Sequence, residues 1–286
     1  MKQPFKKILF GFAFSPSLGA NLAEAVRLSQ FFEAELHLVH VGEKTSAKEQ
    51  ELERLLQEQK IVQSPNIHVF WKEGKPVNTL LDTIRENQID LLLIGALKRE
   101  NVLRYYSGSI ARKITRKAKC SVLLISNPSI DRKACEHIVV NGLENPKTEQ
   151  TIATAFSVSQ ALGCNKITLV EEISPSEVNP VEDDRSLRRA TLKKEQINRR
   201  ENSRIKTLVQ KLETNLIQNI QWTTQSIFGS RGYSIGHYAR VVRADLLIMN
   251  AEDNSSYFRR IIPRDLEHIL AELPTDVLIV NPNTYA

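Results

Sequence analysis

Cysteine is scarce in this chain of 286 residues: Cys120, Cys135 and Cys164 are the three, and none lies in a CxxC pair. This spacing predicts reduced thiols and neither a disulfide framework nor a zinc site. No apolar run reaches about eighteen residues, so the sequence predicts no membrane-spanning helix and no membrane partner. The first residues also lack the apolar segment of a secretory signal, so we expect a cytoplasmic protein.

Patterns that carry catalysis or hold metals are equally scarce. The six histidines form no HxH or HxxxH pair. His37 and His40 are three apart on one predicted strand and therefore face opposite sides of it. We predict structural roles for the histidines and no metal site. No serine lies in a GxSxG turn and no cysteine has a base partner at a recognisable spacing, so the sequence does not predict an enzyme.

Positive charge is concentrated in one segment. The formal net charge is +6, while residues 185–206 carry nine basic side chains against two acidic ones. A solvated helix or loop is one interpretation of this segment, and a docking site for an acidic partner is the other. Because the excess is confined to one segment, nucleic acid is not the expected partner. The candidate docking residues are Arg188, Arg189, Lys193, Lys194, Arg199 and Arg200.

The chain contains an internal repeat. The run Ile89–Ile94 reads IDLLLI and the run Ala244–Met249 reads ADLLIM. Each is followed by a second apolar run that ends in Asn-Pro, with 37 positions from Asp90 to Asn127 and 36 from Asp245 to Asn281. Matching content at nearly equal spacing indicates duplication. We therefore predict two domains, residues 1–128 and residues 135–286.

Each half alternates short, continuously apolar strands with helical stretches. Such strands are typical of a parallel sheet that is covered on both faces. With right-handed crossovers, the predicted fold is α/β, as two tandem doubly wound domains, each a five-stranded parallel sheet flanked by helices. In the second half, the spacing of apolar residues predicts a helix over 198–217, preceded by a loop over 175–184.

A loop after the fourth predicted strand carries a recognisable motif. It reads Gly95-x-x-Lys98, then nine residues, then Gly108-Ser109, with Ile94 before it and Ile110 after it. This pattern resembles the G-x-x-G-(nine residues)-G-S loop of nucleotide-binding universal stress proteins. The first strand and turn, and the end of the second strand at Val41, are also similar to that family. The resemblance covers both halves and implies an adenine-nucleotide α-hydrolase-like fold.

The resemblance implies that the first domain binds ATP or AMP. The adenine would lie by Val41 and the phosphates by Gly95, Gly108 and Ser109. Glycines permit close approach and positive φ, and backbone N–H groups at the start of the following helix attract an anion. Loops after different parallel strands meet at one crevice. The candidate residues are Ala13, Phe14, Val41, Ile94, Gly95, Lys98, Gly108, Ser109 and Ile110.

Two residues of the first half depart from the family pattern. Ala13 stands where nucleotide-binding relatives have an aspartate that anchors the base or ribose side. Lys98 replaces the second glycine, and its side chain either crowds the loop or contacts a phosphate as a point charge.

The second half keeps less of the motif. Asn250, Asp253 and Pro263-Arg264 align with the loop positions, and Leu143 falls near the aspartate position. This half is therefore predicted to be degenerate as a nucleotide site. Residues 229–232, Gly-Ser-Arg-Gly, form either a rival anion loop or an ordinary strand-to-helix turn.

These observations predict a non-catalytic stress-response protein that acts by ligand binding and protein interaction, with a partly degenerate adenine-nucleotide site in the first domain. A functional ATP/AMP-binding switch, or a slow ATPase, is an alternative. A scaffold that docks an acidic partner through residues 185–206 is another. The resemblance also implies pairing of the two domains with each other, or a homodimer, through the last strands.

Overall fold

A computed structural model describes residues 3–58, 66–98, 105–106, 108–178, 180–251 and 265–281, apart from the side chains of 97, 98, 105, 106 and 265. The chain divides into two compact units. Unit 1 comprises Met1–Ala134 and Thr275–Ala286, and unit 2 comprises Cys135–Pro274.

Unit 1 alternates strands with helices, and its core strands are almost entirely apolar. Its strands are β1 Lys7–Phe12, β2 Glu35–Val41, β3 Ile67–Lys72, β4 Leu91–Gly95, β5 Leu97–Lys98, β6 Tyr105–Tyr106 and β7 Ser121–Ile125. Its helices are α1 Leu18–Phe31, α2 Ser46–Glu58, α3 Pro76–Asn87 and α4 Ser109–Lys117.

Unit 2 repeats this alternation. Its strands are β8 Ile138–Asn141, β9 Lys166–Ile173, β10 Gln221–Phe228 and β11 Leu246–Asn250. Its helices are α5 Thr148–Leu162, α6 Asp184–Gln210, α7 Thr214–Ile217, α8 Tyr233–Val241 and α9 Asp265–Ala271, with a 3₁₀ turn at Pro175–Glu177. A last strand, β12 Asp276–Val280, follows and lies in unit 1.

The sheets confirm the predicted α/β class. In unit 1 the strand order is β12-β7-β4-β1-β2-β3, and the neighbours from β7 to β3 are parallel. In unit 2 the order is β10-β9-β8-β11, again with parallel neighbours. The order of unit 2 repeats that of β3, β2, β1 and β4, so the internal repeat of the sequence corresponds to a repeat of topology.

The last strand departs from the domains that the repeat predicted. β12 pairs antiparallel with β7, with Val277 opposite Leu124, and therefore belongs to the compact unit of the first half. Asp276 Oδ1 accepts hydrogen bonds of 2.8 Å from both the backbone N–H and the hydroxyl of Ser126. The last predicted strands of the two halves thus lie side by side within unit 1.

Helix α6 was predicted over 198–217, but it begins at Asp184 and ends at Gln210. The Asp183 carboxylate caps its first turn by accepting from the Ser186 backbone N–H at 2.7 Å. The Ser186 hydroxyl in turn accepts from the Asp183 backbone N–H at 2.8 Å. The residues around this cap are polar and give no apolar period, so periodicity alone does not predict where the helix begins.

None of the described helices combines the length and the apolar content that a membrane crossing requires.

One aspartate in each unit ties the first strand to the fourth. The Asp90 carboxylate accepts from the backbone N–H groups of Lys6 at 2.8 Å and Lys7 at 3.1 Å. The Asp245 carboxylate accepts from the backbone N–H groups of Glu136 at 2.8 Å and His137 at 3.0 Å. The Asp in the repeated sequence motif therefore has the same structural role twice. Burial raises the pKa of Asp90, and these backbone donors oppose the rise.

We expect Asp90→Ala to lower the free energy of unfolding by about 1.5–3 kcal/mol, because two backbone donors lose a charged acceptor. Urea denaturation measures the change. The control is Asp82→Ala, which breaks an exposed pair with Arg85 and should change stability by less than about 0.5 kcal/mol. Equal losses in the two variants would contradict this role for Asp90.

Candidate ligand-binding site

Unit 1 has a cleft at the carboxyl ends of its parallel strands. The volume of the cleft is about 320 Å³, within the range of small-ligand pockets. The ends of β1, β2 and β4, the turn before α1 and the starts of α3 and α4 form its walls. The predicted residues that line it are Ala13, Val41, Ile94, Gly95, Gly108 and Ile110. These residues therefore share one cleft, and binding of a ligand there stays a prediction.

Gly95 is required for close packing and not for backbone freedom. Neither Gly95 nor Gly108 has positive φ, although the sequence suggested that the loop glycines adopt it. A Cβ on Gly95 would lie 2.6 Å from Asn21 Oδ1 and 3.0 Å from Asn21 Cγ. The missing side chain of Gly95 therefore makes room for the amide of Asn21. Gly108 is the N-cap residue of α4, in an extended conformation.

Asn21 is a polar cleft residue that the sequence analysis did not single out. It is 6% exposed, and its Nδ2 donates to the Ser17 carbonyl at 2.9 Å. Because that partner only accepts, Nδ2 and not Oδ1 faces it, and Oδ1 is buried against Gly95. Oδ1 has no hydrogen-bond partner among the described residues. A polar residue among the apolar positions of α1 was the available signal in the sequence.

Three other predicted residues lie differently. Phe14 is not among the residues that line the cleft: its ring packs against His40 at 5.1 Å and Trp71 at 6.1 Å between centroids. Ser109 is exposed at the first position of α4 and also does not line the cleft. The backbone of Lys98 pairs with Tyr105 in a short antiparallel hairpin, and its side chain lies outside the described part of the chain.

In unit 2 a carboxylate of the chain itself occupies the rival anion loop. Glu172 is 2% exposed and accepts from the backbone N–H groups of Gly232 at 3.0 Å and Ile235 at 2.8 Å. Those are the groups at the start of α8 that an external anion would need. The structure therefore favours the strand-to-helix turn over an anion site at residues 229–232.

A second buried acid, Glu171, lies next to Glu172 and pairs with an arginine. Arg204, on α6, contacts the Glu171 carboxylate and the Gly142 carbonyl, and its Nε donates to Glu201 at 2.8 Å. Burial raises the pKa of Glu171 to about 7, although Arg204 opposes the rise. Burial also acts on Glu201, but hydrogen bonds from Arg204 and Arg200 hold its pKa below the usual value.

The strand register identifies the residue of unit 1 that corresponds to Glu172. Ile8 pairs with Leu36 in unit 1, and Ile138 pairs with Ile167 in unit 2, so Glu172 holds the position of Val41. Val41 lines the open cleft, whereas the Glu172 carboxylate accepts hydrogen bonds from the backbone at the start of α8. Asn250, which aligns with Gly95, donates from its side-chain amide to the Thr148 hydroxyl at 3.0 Å. Asp253, Pro263 and Arg264 lie outside the described residues.

The basic segment lies on helix α6. All six candidate docking residues are exposed. Several have local partners: Arg199 pairs with Glu195 at 3.7 Å, and Lys194 lies 5.3 Å from the Phe228 ring centroid. The solvated helix is therefore the observed arrangement, and docking to a partner remains a proposal.

The structure brings two cysteines together that are distant in sequence. Cys120, Cys135 and Cys164 are free thiols, as predicted. A hydrogen bond with the Cys135 thiol lowers the pKa of Cys164 to about 7. Burial raises the pKa of Cys120 to about 12.

Comparison with known proteins relates the first unit to a family. Residues 4–126 match the sequence model described as the universal stress protein family. The match covers most of unit 1 and less than half of the chain, and it confirms the resemblance that the Gly95 loop indicated. A universal stress protein of Methanocaldococcus jannaschii is 23% identical in an alignment of 147 residues, which covers 43% of this chain and 84% of that protein.

Solved structures extend the likeness of fold to the whole chain. A functionally unknown protein of Pseudomonas aeruginosa superposes with a TM-score of 0.70 at 14% identity, covering 98% of this chain and 94% of its own. A universal stress protein of Archaeoglobus fulgidus superposes with a TM-score of 0.66 at 12% identity, covering 98% of this chain and 99% of its own. At these identities the superpositions show the fold of both units.

The Arg204 network generates a prediction about pH. The folded-state pKa of Glu171, about 7, lies above its ordinary value of 4.5. The contribution of this group to stability is therefore fully present below about pH 4.5 and declines as pH rises to about 7. Arg204→Met should destabilise unit 2 by about 3–5 kcal/mol near neutral pH, because buried Glu171 loses its cation and buried Glu201 keeps only Arg200.

That deficit should shrink as pH falls to about 5, where Glu171 is protonated and needs no cation. Urea denaturation at a series of pH values measures it. Arg200→Met is the matched control, since the Arg200 side chain is 62% exposed and its loss should cost less than about 1 kcal/mol. A deficit in Arg204→Met that does not change with pH would rule out this explanation.

Proposed function

We propose that unit 1 binds an adenine nucleotide in its cleft and that the protein acts in a stress response through this binding and not through turnover. The cleft between Gly95 and Gly108 carries the proposal, because it joins the ends of β1, β2 and β4 to the start of α4. The backbone N–H groups and the dipole at such a helix start stabilise a phosphate group. The apolar wall at Val41 and Leu80 suits a base.

Asn21 supplies what Ala13 lacks. An aspartate at position 13 would accept hydrogen bonds from the base or ribose, and Ala13 has no such acceptor. Asn21 lines the same cleft from α1, and its Oδ1 has no partner among the described residues. A small rotation of the side chain would let Oδ1 accept a hydrogen bond from a ribose hydroxyl or an amino group. It cannot donate, so it disfavours a phosphate oxygen at its own position. The ligand would therefore place its sugar or base, and not its phosphate, against Asn21.

Unit 2 has a different role in this proposal. At the corresponding strand ends, Glu171 pairs with Arg204, and Glu172 pairs with the N–H groups at the start of α8. We propose that unit 2 is a structural partner that binds no nucleotide.

Asn21→Leu tests the site, since it removes the acceptor and fills the cleft. We expect AMP to bind the wild-type chain and the variant to bind at least about tenfold more weakly, as measured by calorimetric titration. The control is Thr151→Val, because Thr151 holds the equivalent place at the start of α5 and should leave AMP binding unchanged.

Titrations with ATP, AMP and adenosine test whether the cleft binds a nucleotide, and an assay of phosphate release tests the slow-ATPase alternative. Absence of heat from ATP and from AMP at millimolar concentration would refute nucleotide binding. Phosphate release from ATP above the background of the Asn21→Leu variant would favour the slow ATPase instead.

A second candidate function is docking of an acidic partner on α6. The observation that favours it is the presence of apolar side chains within the basic surface: Leu187 is 51% exposed and Leu192 is 58% exposed. Exposed leucines beside unbalanced charge are typical of interaction surfaces.

Replacement of all six basic candidates by Gln should abolish binding of poly-glutamate, and wild-type binding should weaken steeply with added salt. Calorimetry of both proteins measures this. A variant with Lys113, Lys117 and Lys119 changed to Gln has lost charge elsewhere and should still bind. If the six-residue variant binds as tightly as that control, α6 is not the docking surface.

A further inference from the structure

Two histidines and a glutamate meet at one end of the unit 1 sheet, away from the cleft. Glu35 and His37 are two apart on β2, so their side chains lie on the same face. His68 lies directly opposite His37 on the neighbouring strand β3. One ligand atom from each of the three side chains lies within 4.8 Å of the others. His37 and His68 are 31 positions apart, so a search for histidine pairs in the sequence could not find this cluster.

His37 is buried without a hydrogen-bond partner. It is 5% exposed, and neither ring nitrogen has a partner among the described residues. Its Nε2 lies 3.6 Å from Glu35 Oε2, longer than a hydrogen bond. A buried polar group of this kind carries a free-energy cost unless something else occupies its lone pair, for example an ion.

The surroundings hold the ring of His37 and leave one side open. Phe70 stacks on it with centroids 5.6 Å apart and an interplanar angle of 8°, so the ring is fixed. His68 is exposed, and 45% of the Glu35 side chain is exposed, so both can turn towards His37. The charged neighbour of the cluster is Lys7, whose Nζ lies 4.0 Å from Glu35 Oε2.

Unit 2 provides an internal comparison. By register, Lys166, Thr168 and Thr223 hold the positions of Glu35, His37 and His68. None of these three is a ligand for a transition metal. Instead, the Thr168 hydroxyl is hydrogen-bonded to His137 Nε2 at 2.9 Å. The second unit therefore satisfies this site internally, and the first leaves it open.

We propose that Glu35, His37 and His68 bind a divalent transition-metal ion of the zinc type. Two imidazoles and one carboxylate are a ligand set for Zn²⁺ with an open fourth position, and imidazole disfavours Mg²⁺ and Ca²⁺. Metal–ligand bonds of about 2.0–2.2 Å require the donor atoms to move closer together, which rotation of Glu35 and His68 provides. The bound ion would join the edge strand β3 to β2.

The experiment uses the full chain, stripped with a chelator and titrated with Zn²⁺ alone. We expect one ion per chain by calorimetry and a higher unfolding temperature with Zn²⁺ present. Glu35→Gln and His68→Gln should each weaken binding at least about tenfold, since even the loss of an outer-shell partner costs that much. Both side chains are exposed, so these variants should fold. Lys7→Met should strengthen binding, because it frees Glu35 and removes a like charge.

Two controls make the result decisive. His237→Gln changes an exposed histidine outside the cluster and should bind Zn²⁺ as the wild type does. Cys135→Ser tests the thiol pair with Cys164 and should also retain the ion. No Zn²⁺ binding, unchanged binding in His68→Gln, or loss of the ion in Cys135→Ser would each overturn the proposal.

Discussion

In each unit one aspartate carboxylate joins the first strand of the sheet to the fourth, and the arrangement at the other edge depends on that junction. Asp90 and Asp245 each accept two backbone N–H bonds from the residues that begin the first strand. The hydrophobic pattern sets register in a sheet, and these hydrogen bonds add a fixed point between the first and fourth strands. With β1 and β4 held in register, their carboxyl ends bring Ala13 and Gly95 to the same cleft.

Once register is fixed, the two units differ through what occupies the carboxyl edge. A helix start presents unpaired N–H groups and partial positive charge, which require a partner. In unit 2, Glu172 is that partner for α8, and the ion pair of Glu171 with Arg204 fills the adjoining space. In unit 1, Val41 offers no carboxylate and the cleft stays open. The same fold thus has an open cleft beside Val41 in unit 1 and internally paired carboxylates at the corresponding strand end in unit 2.

The sequence predicted the architecture well and the polar detail poorly, for a physical reason. Alternating apolar strands and helices depend on local periodicity, and the described elements of both units alternate in this way. Asn21, Glu172 and the pairing of His37 with His68 depend on which strands become neighbours. No local pattern encodes the place of β12 beside β7 either, and only the family resemblance implied a pairing through the last strands.

A helix start that relies on a bound anion leaves backbone donors exposed when the anion is absent. A side-chain carboxylate satisfies such donors permanently, with no cost of association. In unit 2, Glu172 does this for Gly232 and Ile235 at the start of α8, the helix that corresponds to α3 of unit 1. Under the proposed function, linkage predicts that a nucleotide stabilises unit 1 and leaves the stability of unit 2 unchanged.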